Sequence, residues 1–592
     1  MKHERPGTGL AILAILLVVL TFATYAPVLR GDFTWDDDVL ISDNPIIKDE
    51  AGLRRFWFTT ETADYYPITG SLWWLEWRAW GNSATGYHVA NVLLHAVNAV
   101  LVWMVLRHLK IPGAWLAALM FAIHPVNVAT AAWISEQKNT LSMLFAATAA
   151  LLYLRFCDKG RWRWYGFSLA AFLLALLSKS AVVMLPVVLL GCIWWTRGRV
   201  RWRDVWCSVP FFVVSLVLGL VTVWFQYHRA MHGMMIRNAS FLVRLAAAGW
   251  VPWFYLYKAL LPLNLTVIYP KWQVDASHWV SYAPGALLVV CFLVFWRKRR
   301  TWGRPLLFGL GYFVVTLFPV MGFFNQSFHN FSLVADHWQY YSIVGVIALA
   351  VAAGNEACRR IGRQSRQLRT IAAVAVVTVM GVATWQRCNV YASDERLWRD
   401  NVAKNPRAWL AWLNLGLNRE WAGHPDDAVG YFEQALRINP DDADTHSSLG
   451  LALLQLGRTQ EAIPHLERAL RINPDDADAH NSLALALLQL GRSQEAIPHL
   501  EHALRIDPDY TDAHVNLGNA LFQEGRVSEA FSHYQQALRL NPNSPLAHDN
   551  LGVTFEKLGR VPEAIEQYQQ ALKLNPDLTA AREAIERLQA SH

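Results

Sequence analysis

The chain is expected to be all-α: a bundle of about eleven membrane-spanning helices followed by a solenoid of short helix pairs. Three observations lead there. Of its 592 residues 54% are hydrophobic and 28 are tryptophan, which is too apolar and too long for one water-soluble domain. The apolar residues come in runs close to the roughly 20 residues that a bilayer requires. A proline also returns at 34-residue steps through the last third: Pro406, Pro440, Pro474, Pro508, Pro542 and Pro576.

The apolar runs cover 10–29, 87–107, 113–132, 139–156, 163–178, 180–196, 207–227, 282–296, 304–322, 338–356 and 370–387. Residues 163–178 and 282–296 are short for a span and predict helices that tilt or sink into the bundle. The first run follows Lys2 and Arg5 and is longer than the apolar core of a signal peptide, so an uncleaved helix is expected. Basic clusters lie at Lys2–Arg5, Arg107–Lys110, Arg155–Arg163, Arg197–Arg203, Arg297–Arg304 and Arg359–Arg369. All six face the cytoplasm if eleven spans start inside and end outside. Segment 241–261, with Arg244, Pro252 and Lys258, has no place in that count and is expected to be re-entrant or surface-lying. The six cysteines all precede the repeats, with neither disulfide spacing nor a metal signature.

Charge divides the chain at the same place. From Asn389 onward there are 18 Lys+Arg against 29 Asp+Glu, leaving 35 against 17 before it. Basic residues set between apolar runs orient a membrane protein; they do not make a nucleic-acid surface. The expected domains are 1–388 in the membrane and 389–592 in water. Each 34-residue unit of the second has a small pair such as Leu449-Gly450 or Leu517-Gly518, a later alanine (Ala462, Ala530) and a closing Asn-Pro or Asp-Pro. That is the tetratricopeptide (TPR) pattern, with five units over 407–576 and a capping helix after Asp577. Histidines recur at His446, His480, His514 and His548, and at His465 and His499. Equivalent positions in stacked repeats lie about 10 Å apart, so packing is expected in place of a metal ladder.

Polar groups gather at the outward ends of the spans, where a membrane protein keeps them for a reason. They are Asp36, Asp37 and Asp38 after the first run, Tyr66 before Pro67-Ile68-Thr69, His88 and His95, His124 before Pro125, Glu136 with Lys138, Lys179, and Asp336 with His337 and Tyr340. The bland readings are a solvated acidic loop, packed core histidines and lysines that snorkel.

In this order the pieces resemble the transmembrane-and-TPR O-mannosyltransferases and their bacterial relatives, of the GT-C superfamily of membrane glycosyltransferases. The motifs are the Asp pair after helix one, Tyr66-Pro67-Ile68-Thr69, Gly86-Tyr87-His88 with Leu94-His95, the His124-Pro125 turn, Asp336-His337 and the terminal TPRs. Ala129 and Ser180 depart from the pattern, each standing where relatives carry Glu.

The resemblance implies a GT-C-like bundle and transfer of a sugar, mannose or another hexose, from a polyprenyl phosphate to a hydroxyl on a protein, outside the cytoplasm. It implies Asp36 or Asp37 as the base that activates the hydroxyl. It also implies Tyr66, His88, His124, Glu136, Lys138, Lys179, Asp336, His337 and Tyr340 as the donor- and substrate-binding set. Like-charge repulsion within Asp36–Asp38 is expected to raise one carboxyl pKa. The same three carboxylates are candidates for a divalent cation. The TPR groove is the expected seat of a protein or peptide acceptor. Expected surroundings are a bacterial inner membrane with the repeats in the periplasm or outside, or the endoplasmic reticulum if the source is eukaryotic. Two other classes remain open, a non-catalytic TPR scaffold for an envelope complex and a transporter.

Overall fold

A computed structural model describes residues 8–231, 239–360 and 365–590, with helices and no strand among them. It separates into two compact units, Met1–Ala408 and Trp409–His592. The boundary lies after Ala408 and not before Asn389. Helix Asp394–Lys404, polar like the repeats, buries Leu397, Trp398 and Asn401 within the first unit.

The first unit opens with α1 (Thr8–Tyr25), eighteen residues without a charge. The loop that follows carries α2 (Pro45–Lys48) and α3 (Gly52–Phe58) and ends in α4 (Pro67–Trp80). Pro67 starts α4 well because the first turn needs no N–H there. After α5 (Ala84–His108), α6 (Ala114–Ala122) and α7 (Val128–Ala131) form a pair bent by 46° at His124-Pro125. Then come α8 (Gln137–Lys159), α9 (Trp162–Ser178), α10 (Leu185–Arg197), α11 (Trp202–Phe225) and α12 (Phe241–Leu260). The unit closes with α13 (Ala283–Arg297), α14 (Gly303–Leu317), α15 (Ile343–Arg360), α16 (Ser365–Val390) and α17 (Asp394–Lys404).

Among the described residues eight segments are long and apolar enough to cross a bilayer, nine with the bent pair. Of the eleven expected spans the other two are α9, only 17 residues long, and α15, whose end carries Glu356, Arg359 and Arg360. The run at 282–296 differs from expectation. It extends to 19 residues, Trp279–Arg297, and buries none of them. Its Leu287, Val290 and Leu293 stand exposed, as side chains meeting lipid do. Segment 241–261 is α12, which buries Ala246, Ala247 and Ala248. A Cβ on its Gly249 would come within 2.8 Å of the Gly285 nitrogen, so glycine allows the approach to α13. Lys2–Arg5 and residues 361–364 of the last basic cluster lie outside the described residues.

The second unit is five helix pairs: α18 (Trp409–Trp421) and α19 (Pro425–Ile438), α20 (Ala443–Gln455) and α21 (Thr459–Ile472), α22 (Ala477–Gln489) and α23 (Ser493–Ile506), α24 (Thr511–Gln523) and α25 (Val527–Leu540), α26 (Pro545–Lys557) and α27 (Val561–Leu574). The capping helix is α28 (Thr579–Ala590). The recurring Gly is a packing residue: a Cβ at Gly450 would lie 2.5 Å from Leu466, and one at Gly518 2.4 Å from the Tyr534 ring. Repeat three carries Ala484 in that place, buried in the same apolar core as Leu500.

The histidines do pack, yet within each repeat and not along the stack. His446 and His465 bring their Nδ1 atoms to 3.1 Å, and His480 with His499 and His514 with His533 to 3.0 Å. Each first-helix ring also reaches a proline carbonyl through Nε2, at 3.1 Å from Pro440, Pro474 and Pro508. A carbonyl only accepts, so that Nε2 carries the proton, its Nδ1 is bare, and the partner's Nδ1–H donates to it.

Candidate functional site

The loop after α1 sorts its three carboxylates by their partners. Asp37 is fully buried and bonded on both oxygens. Oδ2 accepts from the Thr34 N–H at 2.9 Å and its hydroxyl at 3.3 Å. Oδ1 accepts from the Ser135 N–H at 2.6 Å and also from the Ser135 hydroxyl. Asp38 accepts from the Ser42 hydroxyl at 3.0 Å. Asp36, half-buried, accepts a hydrogen bond from no described residue. Asp37 is therefore a latch between the loop after α1 and the 134–136 turn, and Asp36 is the carboxylate left free.

The pKa shifts in this loop have a different main cause from the one expected. Burial lifts Asp36 to about 6, Lys138 pulls it back, and Glu136 adds a little. Burial lifts Asp37 to about 7 against the bonds from Ser135 and Thr34, with Asp36 the last contributor. Desolvation outweighs like-charge repulsion.

Facing this loop, Glu136 collects cations. Lys138 Nζ lies 3.2 Å from its Oε1 and Lys179 Nζ 2.9 Å from its Oε2. The Asn139 amide donates to Oε2, and His337 Nε2 stands 3.9 Å from Oε1. The lysine side chains are only 15% and 14% exposed, so they turn inward and do not snorkel. Burial depresses His337 to about 4, which makes it a neutral donor and not a cation. Tyr66 shares a 3.4 Å hydrogen bond with Ser180, next to Lys179. The Tyr341 hydroxyl donates to Asn139 at 3.1 Å and so braces the Glu136 ligands. Ser135, Asn139 and Tyr341 were given no role from the sequence; each adjoins a residue that was given one, Glu136, Lys138 and Tyr340 in turn.

The remaining predicted residues turn to other partners. His88 Nε2 donates to the Asp32 carbonyl at 3.3 Å and supports the loop from behind. His124 caps the bend: its Nδ1 accepts from the Val126 N–H at 3.3 Å while Nε2 donates to the Ala259 carbonyl at 3.1 Å. The Tyr340 hydroxyl bonds His95 at 2.8 Å and Asn98 at 3.2 Å, inside the bundle. Asp336 accepts from the Tyr269 hydroxyl at 2.8 Å, and its second oxygen is buried without a partner. Burial raises Asp336 to about 6 against the field of Arg387. Arg387 and Lys404 both pair with Asp400 at 2.6 Å. Among the described residues no three carboxylate, imidazole or thiolate groups converge as ligands of one metal ion.

An apolar cavity of about 1040 Å³ opens beside the cations. Ala181 and Val182, just past Lys179, line one part together with Tyr341. Val188, Leu306 and Phe308 continue the wall, and Lys110, Trp302 and Arg360 edge it elsewhere.

With this geometry in view, the family likeness covers both units. Residues 67–225 match the family described as dolichyl-phosphate-mannose-protein mannosyltransferase. Four overlapping stretches between 422 and 579 match the tetratricopeptide repeat. The chain is thus a helical membrane protein with a mannosyltransferase-type segment and a TPR array. In particular, it resembles the transmembrane-and-TPR O-mannosyltransferases. It is 22% identical to a protein O-mannosyl-transferase of Caenorhabditis elegans, over 74% of this chain and 64% of that one. It is 24% identical to protein O-mannosyl-transferase TMTC3 of Homo sapiens, over 74% of this chain and 52% of that one. It therefore spans between half and two thirds of the length of these relatives. A solved TPR protein of Thermus thermophilus is similar over 31% of this chain and 100% of its own, at 26% identity and TM-score 0.28.

Proposed function

We propose that the chain transfers a hexose, mannose by analogy with its relatives, from a polyprenyl phosphate to a hydroxyl of a protein acceptor. What supports this most is the pair of inward lysines on Glu136 beside an apolar cavity, with Asp36 free. Lys138, Lys179 and Glu136 together carry one net positive charge, the complement of a phosphodiester. The cavity walls suit the isoprenoid tail. In the reaction the acceptor oxygen bonds to the anomeric carbon and its proton passes to Asp36. The bond from that carbon to phosphate breaks, and its electron pair stays on the lipid phosphate. Lys138 and Lys179 stabilise that oxygen, with His337 as a neutral donor.

The TPR groove is the proposed acceptor seat. A cavity of about 380 Å³ there is lined by Asn516, Asn519, Asn550, Tyr534 and Gln523. Carboxamides of this kind bond a peptide backbone without strong sequence choice. The test supplies undecaprenyl-phosphate-mannose and a Ser/Thr-rich peptide to the purified full chain in vesicles. Mannosylated peptide and free lipid phosphate in equal amounts are expected. Cutting after Ala408 should abolish peptide transfer and leave slow donor hydrolysis by water. A cut before Asn389, in contrast, would take α17 from the first unit. No release of lipid phosphate by the full chain, with dolichyl- or undecaprenyl-linked mannose, would sink the enzymatic reading and favour the scaffold.

A further inference from the structure

The segment just ahead of the repeats reaches back to the loop that carries Asp36. Trp35, the residue before it, has φ +51, a left-handed conformation that a bulky side chain rarely adopts. Its N–H donates to Asp394 Oδ1 at 2.9 Å. The other oxygen of Asp394 accepts from the Trp398 indole N–H, also at 2.9 Å. The Trp398 ring, fully buried, meets the Trp35 ring edge-on at 5.1 Å. On its other side Trp35 stacks on Trp133 at 5.0 Å and 6°. Trp133 opens the 134–136 turn that carries Ser135 and Glu136. One residue before α17's cap, the Ala392 carbonyl accepts from the Asp32 N–H at 3.2 Å. A Cβ on Gly31 would lie 3.1 Å from the Ala392 backbone, so the two strands of chain are in contact. Trp35 is consequently an inward-packed hub and not the bilayer anchor that a tryptophan at this depth invites.

The helix is itself held. Asn401 Oδ1 accepts from the Thr266 hydroxyl at 2.7 Å and the Ile268 N–H at 2.8 Å. The Asn405 amide donates to the Ile268 carbonyl at 3.1 Å. A strained residue persists only where its surroundings over-determine it, and here the surroundings are α17 and the Trp133 turn.

We propose that Asp394 and Trp398 are positioning residues for Asp36: by fixing Trp35 in its left-handed conformation they aim the free carboxylate at the acceptor hydroxyl. The proposal rests on Asp36 being the base of the transfer described above. Asp394→Asn keeps the shape but can accept only one of the two N–H bonds, and its new amide N–H opposes the other. Trp398→Phe keeps a buried ring and drops the indole bond.

The experiment measures mannose transfer from undecaprenyl-phosphate-mannose to the Ser/Thr-rich peptide by the full chain and four variants. These are Asp36→Asn, Asp394→Asn, Trp398→Phe and the Asp36→Asn/Asp394→Asn double. Displacing a catalytic group by about 1 Å costs up to ~10²-fold, so Asp394→Asn should lower kcat by about 10- to 100-fold. Donor KM should stay within about twofold. Trp398→Phe should fall in the same direction by less. A residue acting through Asp36 has nothing left to position once that carboxylate is gone, so the double variant should be no slower than Asp36→Asn alone. Multiplied losses in the double variant, or a rise in donor KM matching the fall in kcat, would mean a general structural role and overturn the proposal. An Asp394→Asn protein at the unaltered rate beside a slow Asp36→Asn would sink this proposal alone. An Asp36→Asn protein at full rate would instead remove the base reading on which it stands.

Discussion

Replacing Asp36 by asparagine should separate activity from stability. The carboxylate accepts no hydrogen bond from the described residues, so the substitution removes no bond that the fold uses. It does remove the proton acceptor of the proposed transfer. General-base catalysis contributes ~10²–10⁴-fold, which at ~1.4 kcal/mol per decade is about 3–6 kcal/mol of barrier. Transfer should fall by that factor with donor affinity unchanged, because in the proposed reaction the phosphate meets the lysines and not Asp36. The stability effect has the opposite sign. Burial raises the folded pKa to about 6 from 3.8, so ionising Asp36 opposes folding, an effect fully present above pH 6. At pH 7 the variant should melt at the same temperature as the unaltered protein or higher. The partner substitution Asp37→Asn should do the reverse. It sets amide hydrogens against two N–H or O–H donors of Thr34 or Ser135, and each bond lost inside costs about 1–3 kcal/mol. The assay pairs mannose transfer with thermal melting, at pH values from 5 to 8. Transfer by the unaltered chain should rise with pH through about 6, as the base loses its proton. An Asp36→Asn protein that is slow and also melts low would refute the division between a free base and a bonded latch.

Three further outcomes follow from other parts of the molecule. Lys179→Met removes one charged contact to the lipid phosphate in the proposed site, worth about 1.5–3 kcal/mol; donor KM should rise at least tenfold while residual transfer keeps its pH profile, read by titrating the lipid donor. In the array, Gly518→Ala should lower the melting temperature more than Gly450→Ala, since the new methyl meets the rigid Tyr534 ring in one case and the pliable Leu466 in the other; overpacking costs about 1–3 kcal/mol, and equal melting would discount the packing role of the glycine. A reporter active only in the cytoplasm, fused after His592, should be silent, and activity there would place the array on the cytoplasmic face.

The two large features of the fold were legible because each depends on a repeating physical requirement. A span requires a long apolar run whatever it packs against, and a helix pair requires its small residue and its terminal proline at fixed spacing. The site was legible in part. Asp36, Glu136, Lys138, Lys179, His337 and Tyr66 do come together, whereas His88, His124 and Tyr340 bond backbone or interior groups. A polar side chain in a membrane helix announces that it needs a partner, but not whether the partner is a carbonyl or a substrate. The same limit hid the latch, since Asp36 and Asp37 are alike in sequence and differ only in which of them meets Ser135. Composition also misplaced α17. Its charges resemble those of the repeats, while the residues that decide its place, Leu397, Trp398 and Asn401, form a single stripe.

The histidine pairs give the array a property that its length can tune. Each pair shares one proton between two Nδ1 atoms, and partial burial lowers the pKa of both rings. Unfolded imidazoles take up protons near pH 6.5, so the folded array loses stability as the pH drops below that value. Because every pair is closed within its own repeat, the losses arise separately and add. Repeat one, with Trp412 and Tyr431 in these places, and repeat five, with Gln567 opposite His548, carry no such pair. Duplicating or deleting one of the three repeats that carry a pair would change the acid response in whole steps and leave the remaining steps as they were.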